Sequence, residues 1–297
     1  MTTPRSPSDK NTTTLTVQDV EVPTFLYGTA WKEDRTEALV ERALAAGFRG
    51  IDTANQRTHY HEAGVGAALE KSSREGASLG AGIASCDALF LQTKYTYTEG
   101  QDDRLPYDPG ADYPTQVRQS FENSLEHLGV ERLDSYLLHG PRTRIGFDEG
   151  DREVWRAMEE LQRRGRVRLI GVSNVTAEQL TTLCGIAEVR PAFVQNRCLA
   201  RRGWDRDVRD ICRGEGIVYQ GFSLLTANRA ELASPQLRRI AGKHGRSGPQ
   251  VVFRFALQIG MICLTGTTDP AHMREDLAVY EFELPEEDIE TIVRISA

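Results

Sequence analysis

Three ionisable side chains each end a short apolar run of the sequence. Asp52 ends FRGID (48–52), Lys94 ends LFLQTK (89–94) and His139 ends LDSYLLH (133–139). A lysine beside a tyrosine favours the phenolate and so lowers the phenol's pKa from about 10, and a carboxylate beside the lysine keeps it charged. Such a tyrosine can protonate a carbonyl oxygen as hydride reaches the carbon, with a histidine orienting that oxygen. These residue types therefore fit the chemistry of carbonyl reduction.

The same residues have other interpretations. A single Asp or His after a strand is most often a turn residue or a helix cap, whereas a lysine there is rarer, because burying its ammonium requires a partner. Lys94 could instead be the nucleophile of a Schiff-base lyase. Its partner Asp52 argues against that role, because a charged lysine is a poor nucleophile.

The elements that would position these residues alternate regularly along the chain. Short apolar runs are predicted as strands, and amphipathic segments with helical periodicity lie between them. This alternation predicts an α/β fold with parallel strands, a (β/α)8 TIM barrel. The predicted strands are 24–29, 48–52, 89–94, 133–139, 167–174, 192–196, 217–222 and 261–265.

A doubly wound open sheet is the alternative fold. That fold would carry a GxGxxG after its first strand, and the sequence has none there. The glycines of GVG (64–66) lie in a predicted helix and are interpreted as a close packing contact. Residues 1–14 are predicted to be a disordered polar N-terminal tail, and residues 15–297 a single (β/α)8 domain.

A (β/α)8 barrel builds its active site at the carboxyl ends of its strands. Polar residues at these ends should therefore converge on one mouth. Besides the first three, they are Ser173, Asn174, Gln195, Ser223, Thr265 and Thr267. The polar stretch 95–114 follows a strand end and is a candidate lid over the mouth.

Composition narrows the classes of function. The net charge of −7 argues against a nucleic-acid-binding protein, which would normally show a basic face. The five cysteines form no CxxC or Cys/His cluster, so neither a disulfide framework nor a metal site is expected. A reducing, cytoplasmic location is expected instead. No apolar run approaches the length of a membrane span.

Six segments in sequence order are similar to motifs of the aldo-keto reductase superfamily. They are GTAW (28–31), GFRGIDTA (47–54), LQTK (91–94), SLEHLGVERLDSYLLH (124–139), GRVRLIGVSN (165–174) and PAFVQN (191–196). The resemblance covers the chain from about residue 15 to its end. It implies a (β/α)8 barrel that binds NADP(H) or NAD(H) without a Rossmann domain, a small carbonyl or alcohol substrate, and a catalytic Asp, Tyr, Lys and His.

Three of these four catalytic residues match directly as Asp52, Lys94 and His139. The family's tyrosine lies five residues after the aspartate, where this chain has Arg57, and the stretch from Asp52 to Gly66 is two residues longer than usual. Tyr60 is therefore assigned as the acid, with a bulged loop absorbing the insertion. His59 is the competing proton donor.

The resemblance also assigns cofactor-binding residues. Ser173, Asn174 and Gln195 correspond to ligands of the nicotinamide carboxamide, and Phe222 to a ring stacked on the nicotinamide, although it could equally be a core residue. Ser223 and Leu225 match residues that line the pyrophosphate.

The segment after the eighth predicted strand departs from the family pattern. Gly266 and His272 stand where many members have a lysine and an arginine that grip the 2′-phosphate of NADPH. The polar partners left for the adenosine end are Thr267, Glu275 and Asp276. The resemblance to the family favours NADPH over NADH, while the absence of this lysine and arginine weakens that preference.

The substrate pocket is expected to include Trp31, which ends the GTAW motif. Other aromatic candidates are Phe90, Tyr95, Tyr97 and Tyr107, and Gly140 leaves room where many relatives have a bulky aromatic. The displaced tyrosine and the altered phosphate segment leave open a third class, a non-catalytic nucleotide-binding or regulatory barrel.

Overall fold

The computed structural model describes residues 12–74 and 89–296. Parallel strands β3 to β10 form a closed barrel in the order β10-β3-β4-β5-β6-β7-β8-β9, so the predicted TIM barrel is confirmed. The strands are β1 (Thr14–Val17), β2 (Val20–Pro23), β3 (Phe25–Gly28), β4 (Gly50–Asp52), β5 (Phe90–Tyr95), β6 (Leu133–Leu138), β7 (Val167–Ser173), β8 (Phe193–Arg197), β9 (Val218–Phe222) and β10 (Met261–Thr265).

Helices connect successive barrel strands and cover the outside of the barrel. Their ends follow local sequence signals: Thr176 and Gln179 form the predicted capping box, and Ser234 caps the helix that begins with Pro235. The helices are α1 (Thr36–Ala46), α2 (Glu62–Arg74), α3 (Tyr113–Leu128), α4 (Glu149–Arg163), α5 (Ala177–Ile186), α6 (Arg206–Glu215), α7 (Arg229–Leu232), α8 (Pro235–His244), α9 (Gly248–Gln258), α10 (Pro270–Leu277) and α11 (Glu286–Val293). Among the described residues, no helix is long and apolar enough to cross a membrane.

The hairpin β1–β2 is absent from the sequence-based prediction. Its two-residue turn uses Gln18 and Asp19, both with positive φ, and this pair lacks the Asn-Gly or Asp-Gly signature of such turns. Val17 and Val22 join the buried cluster that includes Phe90 and Phe193, the first residues of their barrel strands. The hairpin therefore closes the amino-terminal end of the barrel and leaves the opposite end for a site.

The predicted N-terminal tail lies mostly outside the described residues, which begin at Thr12. The last residues assigned to it are part of the fold, because Thr14 starts β1 and the Thr13 carbonyl accepts a hydrogen bond from the Thr24 amide.

The close packing predicted for the glycines of GVG is confirmed at the α2–α3 contact. A Cβ on Gly66 would overlap the backbone carbonyl oxygen of His127 in α3, and one on Gly64 would lie 3.1 Å from the Thr36 Cβ. These glycines set how closely α2 approaches its neighbours. Since α2 follows the loop that carries Tyr60, they also fix where that loop ends.

Gly66→Ala should therefore destabilise the protein by about 1–3 kcal/mol, because backbone atoms cannot move away as a flexible side chain could. Urea denaturation measures the change. Gly242→Ala in α8 is the matched control, since its new methyl group meets nothing within 4 Å. We expect that control to be neutral or to gain up to about 1 kcal/mol from helix propensity. Equal stabilities for the two variants would contradict the packing interpretation.

Candidate active site

A buried ion pair between Lys94 and Asp52 lies at the carboxyl ends of β5 and β4. The Lys94 Nζ lies 2.7 and 2.8 Å from the two carboxylate oxygens and donates a third hydrogen bond to the Thr53 carbonyl at 2.7 Å. The lysine side chain is 0% exposed. Burial lowers the pKa of Lys94, while the charge and hydrogen bond of Asp52 oppose that shift. With three acceptors around it, the ammonium has all its protons engaged.

Tyr60 lies against this pair from the loop between β4 and α2. The Lys94 Nζ is 5.4 Å from the centre of the phenol ring, and the His139 ring meets the phenol edge-on with centroids 5.8 Å apart. The tyrosine amide donates to the Gln56 carbonyl at 3.0 Å, which closes a turn within this loop. The structure thus brings together Asp52, Lys94, His139 and Tyr60.

The prediction that Lys94 lowers the phenol's pKa is wrong in direction. Burial raises the pKa of Tyr60 above its usual value, and the negative charge of Asp52 raises it further. The Asp52 carboxylate, paired to the lysine, offsets the ammonium's influence. The phenol is therefore protonated at neutral pH, which is the form a proton donor needs.

His139 is held as a neutral imidazole. Its Nδ1 lies 2.7 Å from the Thr96 hydroxyl, whose own backbone carbonyl accepts from the Tyr107 phenol at 2.7 Å. Burial, then the nearby Lys94 charge, lower the pKa of His139 to about 3. Because Nδ1 is engaged by Thr96, Nε2 is the nitrogen that remains for a substrate.

His59, the competing proton donor, lies in the same loop but faces different partners. Its ring is 3.9 Å from the Trp31 ring between centroids, and its Nδ1 is 3.0 Å from the Gln56 Oε1. The Gln56 amide nitrogen donates to the Gly100 carbonyl at 2.6 Å, which fixes its oxygen toward the histidine. The Nδ1 of His59 therefore carries the proton of this hydrogen bond.

A cavity of about 420 Å³ opens over Tyr60 and His139. The predicted substrate residue Trp31 borders it with 66% of its surface exposed, and Gly140 leaves one side of it without a side chain. The candidate lid contributes one wall. The lining comprises Ala30, Trp31, Gln56, His59, Tyr60, Thr96, Tyr97, Glu99, Gly100, His139, Gly140, Pro141, Arg142 and Asn174.

Of the other aromatic candidates for the pocket, only Tyr97 lines this cavity. Phe90 is in the buried cluster at the opposite end of the barrel, because it begins its strand rather than ending it. Tyr95 is fully buried beneath the mouth, and Tyr107 supports Thr96 from behind.

The residues assigned to the nicotinamide lie together at the ends of β7 and β8. The Ser173 hydroxyl donates to the Gln195 carbonyl at 2.6 Å, and the exposed Asn174 amide donates to the His139 carbonyl at 2.8 Å. The Gln195 amide nitrogen is used inside the barrel, donating to Asp52 and Gln220 at 2.9 Å each. Its orientation is thus set by the barrel interior, which the sequence pattern did not reveal.

Three further residues assigned to the cofactor lie at the end of β9 or directly after it. Phe222 is partly buried and packs against the inner barrel cluster, which agrees with the core interpretation considered for it. Ser223 has a φ of 56°, and Leu225 is partly buried behind it. These side chains follow β9 directly, where an extended ligand crossing the mouth would meet them.

At the end of β10 the structure supplies a cation that sequence reasoning missed. The buried Lys32, next to Trp31, donates from its Nζ to the Gly266 carbonyl, at the position where the family pattern has a lysine. Thr267 is partly buried and Glu275 exposed nearby. The one feature of the sequence that could have indicated Lys32 is its position directly after the GTAW motif (28–31).

Asp276 is buried at this end of the barrel and accepts a hydrogen bond from the Thr265 hydroxyl at 2.8 Å. Burial raises its pKa from 3.8 to about 6. A raised carboxyl pKa means that the folded state binds the proton more tightly than the unfolded state does. The resulting stabilisation is present below about pH 4 and is lost as pH rises through about 6.

Asp276→Asn removes this titration. Relative to the unsubstituted protein, the variant should gain roughly 2–3 kcal/mol in free energy of unfolding between pH 4 and pH 7.5, the equivalent of about two pKa units. Urea denaturation without nucleotide at several pH values measures the difference. A difference that stays constant with pH would contradict the assigned pKa.

Comparisons with known proteins agree with this geometry. The model of the aldo/keto reductase family matches residues 24–297. Glyoxal reductase of Bacillus subtilis (strain 168) is 33% identical over 275 residues, covering 92% of this chain and 88% of the relative. Deoxymugineic acid synthase 1-D of Triticum aestivum is 33% identical over 277 residues, covering 86% and 81%. A crystal structure of an aldo/keto reductase from Brucella melitensis superposes with a TM-score of 0.78 at 28% identity, covering 95% of this chain and 98% of that one. The chain therefore belongs to the aldo/keto reductase family and is an oxidoreductase that acts on carbonyl compounds with a nicotinamide cofactor.

Proposed function

We propose that this protein reduces an aldehyde or ketone to an alcohol, or catalyses the reverse reaction, with Tyr60 as the proton donor. The observation that supports this assignment is the position of the Tyr60 ring, which lies 5.4 Å from the Lys94 Nζ and meets the His139 ring edge-on at the base of the cavity. Within the described residues that line this cavity, Tyr60 is the phenol in contact with the buried ion pair.

The protonation states suit proton donation to a carbonyl oxygen. Tyr60 keeps its proton at neutral pH because its pKa is raised, and His139 is neutral because its pKa is lowered to about 3. A Thr96 hydroxyl that donates to Nδ1 places the imidazole proton on Nε2, from which it can hydrogen-bond the same oxygen. When Tyr60 gives up its proton, the Lys94 ammonium stabilises the phenolate, and solvent then restores the proton.

The nicotinamide cofactor, when bound, supplies the hydride to the carbonyl carbon in reduction and accepts it in oxidation. The residues present fit such a group: an exposed amide at Asn174, a partly buried ring at Phe222 and a cation at Lys32 lie along the mouth. We propose Ser173, Asn174 and the side-chain oxygen of Gln195 for the carboxamide, because the Gln195 amide nitrogen donates into the barrel, and Phe222 for stacking. The remaining assignments are Ser223 and Leu225 for the pyrophosphate, and Thr267, Glu275 and Asp276 for the adenosine end.

We propose a modest preference for NADPH over NADH. The family's phosphate-gripping lysine is replaced by Gly266, but the Lys32 ammonium reaches the same place from the loop after β3. Burial lowers the pKa of Lys32, and the nearby Arg35 lowers it further, so an anionic phosphate would stabilise the charged lysine. The acidic Glu275 and Asp276 nearby limit the preference.

The substrate is proposed to be a small carbonyl compound with Trp31 against it. The cavity of about 420 Å³ suits a small molecule, and the relative from Bacillus subtilis is named a glyoxal reductase, which points to short aldehydes. A cytoplasmic location fits the described cysteines, which are all unpaired.

The Schiff-base alternative has less support. A lysine nucleophile needs a free lone pair, whereas the Lys94 ammonium donates to both Asp52 oxygens and to the Thr53 carbonyl. Borohydride trapping of a carbonyl adduct on Lys94 in the absence of nucleotide would favour the lyase.

Tyr60→Phe should reduce kcat by about two orders of magnitude or more, with nucleotide affinity nearly unchanged, because general-acid catalysis is lost while the ring remains. Turnover of NADPH with nitrobenzaldehyde measures kcat, and fluorescence titration measures affinity. Lys94→Met should be similarly damaging. Near-normal activity in Tyr60→Phe, together with a large loss in His59→Phe, would reassign the donor to His59.

Lys32→Met should weaken NADPH binding by about tenfold, the loss expected for one charge-assisted hydrogen bond to phosphate, and weaken NADH binding less. Parallel titrations with both nucleotides test this. Arg118→Met is the control, because it removes one positive charge from an exposed position of α3. Equal losses for the two nucleotides would contradict the proposed role of Lys32 in the preference.

A further inference from the structure

Three buried glutamines form a hydrogen-bonded network in the interior of the barrel. The Gln92 amide nitrogen donates to the Gln220 Oε1 at 2.8 Å, and the Gln195 amide nitrogen donates to the same oxygen at 2.9 Å. The Gln220 amide nitrogen donates to the Gln92 Oε1 at 3.0 Å, and the Ser135 hydroxyl donates to it at 2.9 Å. These side chains come from β5, β6, β8 and β9, on different sides of the barrel.

The network ends on the Asp52 carboxylate. The Gln92 amide nitrogen reaches the Asp52 Oδ1 at 2.7 Å, and the Gln195 amide nitrogen reaches it at 2.9 Å. The Lys94 Nζ also donates to this oxygen, so Oδ1 accepts from three donors. Of these partners, only Lys94 is charged.

Such a network is unusual at this place in the fold. The interior of a (β/α)8 barrel is commonly filled by branched apolar side chains, and buried amides cost free energy unless every polar group is paired. Here the Gln220 carbonyl oxygen orients both neighbouring NH2 groups. Turning either amide around would place a carbonyl oxygen against the Asp52 carboxylate, so the arrangement has one favourable orientation.

We propose that Gln92, Gln220 and Ser135 are positioning residues for the reaction, which hold Asp52 so that its charge is shared among neutral donors as well as Lys94. This inference rests on the proposed role of Tyr60 as proton donor. None of the three side chains lines the cavity, so they act through Asp52 and not through contact with substrate.

The hydrogen bonds to Asp52 affect the pKa of the Tyr60 phenol. The titratable groups around Tyr60 and Lys94 are Asp52, His139, Glu62 behind the lysine, and His59 beyond the histidine. Asp52 already raises the pKa of Tyr60. Removing a neutral donor from Oδ1 concentrates the negative charge of the carboxylate, so it raises the pKa of the phenol further and draws the ammonium away from the phenolate.

The test begins with Gln92→Leu. We expect kcat to fall by about tenfold with KM and nucleotide affinity nearly unchanged, because Gln92 orients Asp52 and touches neither substrate nor nucleotide. In alcohol oxidation, which needs the phenolate, the rising limb of the pH profile should move to higher pH by about half a unit or more. Ser135→Ala should move it in the same direction by less.

A triple variant separates positioning from folding. Gln92→Leu alone leaves the Gln220 amide unpaired and should also be unstable, whereas Gln92→Leu/Ser135→Ala/Gln220→Leu removes the polar partners together and should recover much of the lost stability. If the network positions Asp52, kcat stays low and the pH limb stays displaced in the triple variant. If activity recovers with stability, or the pH limb never moves, the proposal is overturned.

Gln116→Leu is the matched control. Gln116 is a buried glutamine of α3 that accepts a hydrogen bond from the Tyr95 phenol at 3.1 Å, away from the cavity over Tyr60. It should lose stability without a displaced pH limb, and an equal displacement there would overturn the proposal. Failure of Tyr60 as the donor is distinguishable, since it would appear as activity in Tyr60→Phe, whatever Gln92→Leu does.

Discussion

The site depends on one buried interaction, the ion pair between Lys94 and Asp52. Burying an ammonium and a carboxylate costs several kcal/mol for each ion, and the attraction between them repays this only when the remaining lone pairs and protons are also satisfied. In this barrel they are satisfied, by the Thr53 carbonyl on one side and by Gln92 and Gln195 on the other. The buried ion pair is therefore stabilised by these neutral hydrogen-bonding groups, and their amide NH2 groups in turn require the Asp52 carboxylate as an acceptor.

The closed barrel makes that arrangement possible. Asp52 and Gln92 are paired in register across β4 and β5, and Gln195 and Gln220 across β8 and β9. Residues separated by more than a hundred positions thus meet in one layer of the interior. The hairpin β1–β2 closes the other end of the barrel, so the polar layer faces a single opening.

Much of this could be predicted from the sequence, for a physical reason. The clustering of Asp52, Lys94 and His139 is predictable from their positions at strand ends, because the carboxyl ends of all strands in a parallel barrel lie at the same end of the barrel. The position of Tyr60 is harder to predict, because the loop that carries it departs from the family spacing. Only the folded turn shows which side chain of the loop lies over Lys94.

The remaining features depend on distances that sequence does not contain. The pKa of Tyr60 is raised by burial and by the negative charge of Asp52, and a sequence motif shows neither effect. Lys32 acts at the end of β10, far from its own place in the chain. Gln92 looks like an ordinary residue of a strand, since its partner Gln220 is 128 positions away.

The charges at the mouth favour the protonated form of the Tyr60 phenol in the protein without ligand. The Lys94–Asp52 pair is neutral as a unit, His139 is uncharged, and Tyr60 retains its proton. In the proposed mechanism, negative charge that develops on a carbonyl oxygen during reduction would meet two hydrogen-bond donors, the Tyr60 phenol and the His139 imidazole. In the proposed mechanism, oxidation requires the Tyr60 phenol to lose its proton first, and both burial and the negative charge of Asp52 raise the pKa of that phenol. Burial in the site, together with the negative charge of Asp52, thus keeps the Tyr60 phenol in the protonated form that the proposed reduction uses.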